Sequence, residues 1–527
     1  MTEIKTYTDE IDFEGAYFES LDLLRSLMTG AEQGAIGYVA SSENIDNYKR
    51  LFTRDAFWIG MAAILSEDEE LIGAFRSSLE VLMNTQREDG AIPSNVSPGG
   101  EISYGVINPR VDPTTLYVIG CIEYCRCRGG KKDLEYFKRS IEKAMKYLEN
   151  TWENKICGLL YIPRAGNWAD EYFQKGFVLY DEVLWHIALK KAAYALKVLG
   201  NKRASEYLTK SGTVKNTIRD KFWLKNNESK EDPVYLTMRK KIDMDRMGYL
   251  MHFYYANRRT KACFAKSHCI FDAFGNSLAV LAGVASKKQI ESILRFVDMI
   301  SVNWYPLVPA HYPFFRENTF KTKKLSQYRF KEFIGHYHNG GLWPWYTGAY
   351  VAGLVRVGEE KRAIRFLHGI LRANASEKNG KKFYEYHTAQ KSTAVLEIVH
   401  PHGLDLYFSE KLCTFMTPQK SNLRIKFKNR KIDVTDGMCV RTLNAKKGDK
   451  IQISTVGPDA KDVLLTIAFF KDKEGNRYFR NIEMNKVKSE PDGTPNLGVS
   501  AAAYVIAYKA VAENKILFEQ KEEKDEK

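Results

Sequence analysis

Apolar residues recur at spacings of three and four through most of the first 400 positions of this chain. Tyr17, Leu21, Leu24 and Met28 fall on one helical face, as do Leu71, Phe75, Leu79 and Leu82, and Leu134, Phe137, Ile141, Met145 and Leu148. The same reading predicts twelve helices, over 14–29, 57–67, 70–84, 113–127, 132–149, 178–199, 202–222, 272–284, 287–301, 345–356, 359–373 and 498–512. Ser286 and Gln289 are spaced as a capping box at one of these starts. Most pairs are joined by short connections, and the pairs are separated by long loops rich in Gly, Pro, Asn and aromatic residues. That alternation predicts a ring of antiparallel helical hairpins whose long loops build a pocket at one rim. A solenoid would carry a repeated signature, and the chain shows none.

From about residue 400 the period changes. Leu423, Ile425 and Phe427 alternate with charged residues, as do Ile451 and Ile453 with their neighbours, and VLLTIAFF at 463–470 reads as a buried strand before the turn-like KDKEGN. SAAAYVIAYKAV at 500–511 returns to the helical period. The expected fold is therefore mainly α, an (α/α)6 toroid or barrel with a small β-rich module inserted before the last helix. Its divisions are a barrel over 1–400, the module over 401–492, the final helix within 493–518 and a charged, solvated tail at 519–527.

Composition narrows the class. Hydrophobic residues at 44% and charged residues at 27% suit a globular chain with a large core. The balance of 79 Lys and Arg against 65 Asp and Glu gives +14, but these charges are scattered and match no nucleic-acid motif, so no nucleic-acid partner is expected. Acids near the start leave no basic, then apolar, leader, and no run approaches the roughly 18 apolar residues of a membrane helix. A cytoplasmic location is expected. The eight cysteines, Cys121, Cys125, Cys127, Cys157, Cys263, Cys269, Cys413 and Cys439, form no CxxC pair and read as free thiols of a reducing compartment. His338 and His387 stand alone among aromatics without ligand spacing, so neither metal nor cofactor is expected.

The candidate chemistry lies in the long loops, which set carboxylates beside aromatics. LFTRDAFW carries Arg54, Asp55 and Trp58, RVDPTTLY carries Asp112, GNWADEYF carries Trp168, Asp170 and Glu171, and KFYEYHTAQ carries Glu385 and His387. Aromatic faces stack on pyranose rings while carboxylates and arginine bind hydroxyls, so Trp58, Trp168, Trp343 and Trp345 are candidate platforms. Glycosidic hydrolysis needs one protonated and one ionised carboxyl, and the flank of Trp168 suits Asp170 to the protonated role. Structural roles compete: Asp112 before Pro113 fits a helix cap, Asp55 fits another with Arg54 as ion-pair partner, and Asp181 and Glu182 fit first-turn acids that complement a helix dipole. Trp343 and Trp345, on either side of Pro344, equally fit the packing of a barrel wall.

Taken together, these loops resemble the six-hairpin glycosidases, a group that includes glycogen-debranching amylo-α-1,6-glucosidases and the alkaline and neutral invertases. The resemblance runs over roughly 50–400 and resumes near 495–512. FTRDAFW looks like the group's arginine-aspartate opening at Arg54 and Asp55, and VDPTTLY places its helix-preceding aspartate at Asp112. NWAD places the general acid at Asp170. FDAFGNS resembles the Gly-Asn helix start at Gly275 and Asn276. HYHNGGLWPW, the most specific match, sets His338, Asn339, Gly340, Gly341, Trp343, Pro344 and Trp345 in family order, and FYEYH places the second carboxylate at Glu385.

The resemblance implies an inverting hydrolase of an α-glucosidic bond in an oligosaccharide or branched α-glucan, with Glu385 activating water and Arg54, Asp55 and Asp112 holding sugar hydroxyls. The carboxyl separation would be about 6.5 to 9.5 Å. The loop around Asp170 lacks the aspartate-arginine pair of invertases, which counts against sucrose. An invertase, a non-catalytic carbohydrate-binding protein and a sugar epimerase using His338 and His387 are the competing expectations. The β module and the basic stretch from Trp223 to Arg259 have no counterpart in the group.

Overall fold

The structure is a computed structural model that describes residues 12–29, 37–43, 45, 47–172, 174–226, 232–256, 263–301, 306–314, 334–434, 437–484 and 489–518. The expected tail at 519–527 and parts of the basic stretch lie outside these residues. The described chain is mainly α. Its helices are α1 (Phe13–Ser26), α2 (Thr53–Ser66), α3 (Glu69–Asn84), α4 (Asp112–Tyr124), α5 (Gly130–Tyr147), α6 (Leu179–Val198), α7 (Ala204–Lys221) and α8 (Pro233–Lys241). They continue with α9 (Ala273–Leu281), α10 (Lys287–Ile300), α11 (Pro344–Arg356), α12 (Glu360–Ala375), α13 (Leu406–Met416), α14 (Gly437–Arg441), α15 (Ala460–Ala468) and α16 (Gly498–Glu513).

Every segment expected to be helical contains a helix, and α10 begins with the capping box of Ser286 and Gln289. A closed circuit of contacts runs from α2 to α4, α6, α9, α11, α16 and back to α2. These six helices are apolar around nearly their whole circumference: each residue of α4 is buried, Asp112 to Tyr124. Around them α3, α5, α7 and α12 each pack on the inner helix that precedes them, and bury a single stripe. One pair is made from opposite ends of the chain, because α1 packs on α16. Close inner packing needs small residues. A Cβ on Gly348 of α11 would stand 2.5 Å from the Ala503 carbonyl oxygen of α16.

The segment before α16 folds around a core of its own, from Ala394 to Phe479. Its antiparallel sheet runs in the order Arg430–Asp433, Asn422–Phe427, Lys450–Val456, Lys391–Ile398, Phe479–Met484. Three expectations are corrected here. The module starts with the strand at Lys391, within the range expected for the barrel, and it is not simply β-rich, since α13, α14 and α15 belong to it. VLLTIAFF is not a strand: 460–468 is α15, burying Val463, Leu464, Ile467 and Ala468 at helical spacing. A short apolar run has no intrinsic preference between the two periods, and here α15 covers the sheet as a helix. The chain leaves and re-enters the helical body through one two-stranded stem, Tyr386–His387 paired with Pro491–Asp492. A further antiparallel sheet, in the order Gly176–Val178, Met251–Tyr255, Ser267–Asp272, His311–Tyr312, is built from loops between inner helices and was not foreseen.

Candidate functional site

A cavity of about 620 Å³ opens where α2, α11 and α16 begin. Their N-termini bring the positive ends of three helix dipoles to its floor. Arg54, Asp55, Trp168, Asp170, Glu171, Trp343, Trp345 and Glu385 all line it, with Tyr48, Arg50, Asn95, Arg110 and Tyr337 among the residues that complete the wall. The loops that sequence reading singled out thus converge on one space, and the two proposed acids share it.

Glu385 is buried, at 2% exposure, and is held by donors. The Tyr48 hydroxyl donates to Oε1 at 2.8 Å, and the Thr494 backbone N–H donates to Oε2 at 3.1 Å. Gly493 makes the second bond possible, with φ +77° and a virtual Cβ only 2.5 Å from Oε2. Asp170 is more open, its side chain 29% exposed, and pairs with the Arg110 guanidinium. Asp55 lies in the first turn of α2, and burial raises its pKa from 3.8 to about 6 against the opposing pull of Arg54.

Beneath the cavity, Arg54 Nη1 meets Asp112 Oδ2 at 3.1 Å and the guanidinium lies 5.7 Å from the Trp345 ring centroid. Asp112 is fully buried, and burial raises its pKa although Arg54 opposes the shift. The loop bearing Trp168 and Asp170 is fastened from behind. Asn167 Nδ2 donates to Asp181 Oδ2 at 2.6 Å, the Ala169 N–H donates to Asn167 Oδ1 at 3.1 Å, and the Gln174 amide donates to the same Oδ1. Glu182 accepts the Leu160 N–H at 3.0 Å. Asp181 and Glu182 do open α6, as expected of dipole-complementing acids, but both are buried and serve as anchors for this loop.

Several expectations change. Asp55 and Asp112 are not caps: α2 and α4 follow Phe52 and Val111, and neither helix has a side-chain cap. Asp112 reaches the cavity only through Arg54. Trp58 is not a platform, being 1% exposed and packed 5.6 Å from the Phe274 ring and 6.3 Å from the Trp345 ring. His338 and Asn339 are buried behind the wall, where the His338 ring stacks 6.2 Å from Trp343. His387 is also buried, its backbone paired with Leu342, and burial pushes its pKa down to about 3. With neither histidine lining the cavity, the epimerase expectation loses its acid and base. Tyr48, Arg110, Gly493 and Thr494 were missed. Arg110 stands two residues before Asp112 and was within reach of the motif, whereas nothing in the sequence ties Tyr48 or Thr494 to Glu385.

No curated protein matches the chain in sequence. A family model described as the PTS HPr component phosphorylation site matches residues 392–472, within the inserted module. Among solved structures, the chain is similar to a bacterial glucoamylase complexed with acarbose, with 15% identity over 96% of this chain and a TM-score of 0.52. It spans 57% of the length of that glucoamylase. It is also similar to a glycosidase variant, with 11% identity over 95% of this chain and 96% of the other and a TM-score of 0.51. The wild-type form of a glycosidase matches over the same shares with a TM-score of 0.50. At these identities the likeness is one of fold.

Proposed function

We propose that the chain is an inverting, exo-acting glycoside hydrolase built on an (α/α)6 toroid, cleaving an α-glucosidic bond in a short gluco-oligosaccharide or branched α-glucan. The observation that carries this reading is the meeting of Asp170 and Glu385, from loops far apart in sequence, on one aromatic-walled cavity large enough for sugar rings. Glu385, which accepts a hydrogen bond at each oxygen, is arranged as an ionised base that takes a proton from water as the water attacks the anomeric carbon. Asp170, protonated when substrate is bound, delivers its proton to the leaving oxygen, and the Arg110 guanidinium pairs with the carboxylate that results. Trp168, Trp343 and Trp345 supply ring faces, and Arg54, held by Asp112, offers donors to hydroxyls. The free cysteines fit the cytoplasm as the compartment.

Asp170→Asn and Glu385→Gln should each abolish turnover of panose, isomaltose and branched dextrin with circular dichroism unchanged, and NMR should show inversion at the first anomer released. Full activity in either variant rejects the assignment, and retained sugar binding in a wild-type chain that releases no reducing sugar rejects the enzyme itself. A second reading gives the acid role to Asp55, because burial raises its pKa to about 6 on the same wall. α-Glucosyl fluoride, whose leaving group needs no proton, separates the two. The variant lacking the true acid keeps activity on the fluoride and loses it on oligosaccharides.

A further inference from the structure

Behind the Trp168 wall three buried side chains converge from adjacent strands. His252 comes from Met251–Tyr255, Asp272 from the end of Ser267–Asp272, and His311 from His311–Tyr312. Each offers a ligand atom, and these atoms lie within 4.8 Å of one another. His252 Nδ1 and Asp272 Oδ2 are 3.1 Å apart, and the two imidazole centroids 4.5 Å. Ligands of a tetrahedral Zn²⁺ at about 2.0–2.2 Å from the metal stand roughly 3.3 Å from each other, so the first pair already has that spacing. The third ligand atom lies within 4.8 Å of both.

The surroundings orient the set. His311 Nδ1 is used on the His338 carbonyl oxygen at 2.6 Å, which leaves Nε2 as its ligand atom and fixes the ring as outer-shell hydrogen bonds do in metal sites. Asp272 Oδ1 caps α9 through the Gly275 N–H at 3.0 Å, leaving Oδ2 for the cluster. Nε2 of His311 is fully buried without a hydrogen-bond partner, and such a group is costly unless something binds it. Neutral imidazole nitrogen with one carboxylate is a donor set for Zn²⁺ rather than for a hard cation such as Ca²⁺ or Mg²⁺.

We infer that His252, Asp272 and His311 supply three ligands of a buried Zn²⁺ site that ties three strands together behind the cavity. The Trp168 ring stacks on His311 with centroids 6.2 Å apart, so the ion would brace a wall of the cavity. No part of this depends on the hydrolase reading.

The test uses the full chain, dialysed against metal-free buffer, then stripped with a chelator and titrated with Zn²⁺ or Co²⁺. About one equivalent of Zn²⁺ per chain should be retained, stripping should lower the melting temperature, and Zn²⁺ should restore it. The Co²⁺ form should show visible ligand-field bands without thiolate charge transfer, and His252→Asn with His311→Asn should remove them. If those variants fail to fold, the wild-type Co²⁺ spectrum still decides. A thiolate band would place the metal on cysteine and overturn the proposal, as would the absence of stoichiometric, saturable binding to the stripped chain.

Discussion

The Tyr48 hydroxyl lies 2.8 Å from Glu385 Oε1, bridging 337 positions of sequence. Tyr48 is itself a cavity residue, and its hydrogen bond restricts the carboxylate that is proposed to activate water. Tyr48→Phe should lower kcat by roughly ten- to hundredfold, the weight of one hydrogen bond to a charged group, while KM changes little. Steady-state kinetics against isomaltose check this, and a change confined to KM would assign Tyr48 to substrate binding instead.

Asp55 makes stability depend on pH with a definite sign. Its folded-state pKa is raised from 3.8 to about 6, so the neutral carboxyl favours the folded state below pH 4, and that contribution is lost as pH rises through 6. Asp55→Asn cannot ionise. Relative to wild type, its stability should rise by on the order of 2 kcal/mol between pH 4 and pH 7. Urea unfolding at the two pH values measures the difference, and parallel curves would mean that Asp55 is not buried in this way.

Asn167 joins the acid-bearing loop to α6. Asn167→Ala leaves buried Asp181 without its 2.6 Å donor and frees the segment holding Trp168 and Asp170. A loss of about 1–3 kcal/mol is expected, together with a fall in kcat larger than that loss of folded protein explains. Thermal unfolding and activity per folded molecule test the two parts separately.

Gly348 tests the inner circuit. Gly348→Ala drives a methyl against the backbone of α16, where Ala503 atoms lie 2.5 to 2.8 Å from the added carbon, and neither helix is free to move away. Destabilisation of about 1–3 kcal/mol is expected. Gly73, whose Cβ position has nothing within 4 Å, is the control, and Gly73→Ala should leave stability unchanged or slightly higher.

How far these features could be read from sequence follows from their range. Helices such as α3 and α10 carry an apolar stripe and a local cap, and both signals lie within a few turns. The inner helices were legible because apolar residues cover them all round, as in α4. At 463–470 the run was too short for its period to decide, and the deciding partner was a sheet made from residues 391–484. The acids stood out through aromatic neighbours, but their partners did not. Thr494 reaches Glu385 across the whole inserted module, and the convergence of His252, Asp272 and His311 depends on a sheet whose strands show no clean alternation because both faces are covered.

The stem through which the module joins the helical body bears on where such a chain could vary in length. Tyr386–His387 and Pro491–Asp492 hold each other, and Glu385 is bonded to Thr494 just outside them. The geometry around Glu385 is therefore closed off at the root of the module. Changes in length beyond that root would leave the Glu385–Thr494 pair in place, because it is fastened on the helical side of the stem.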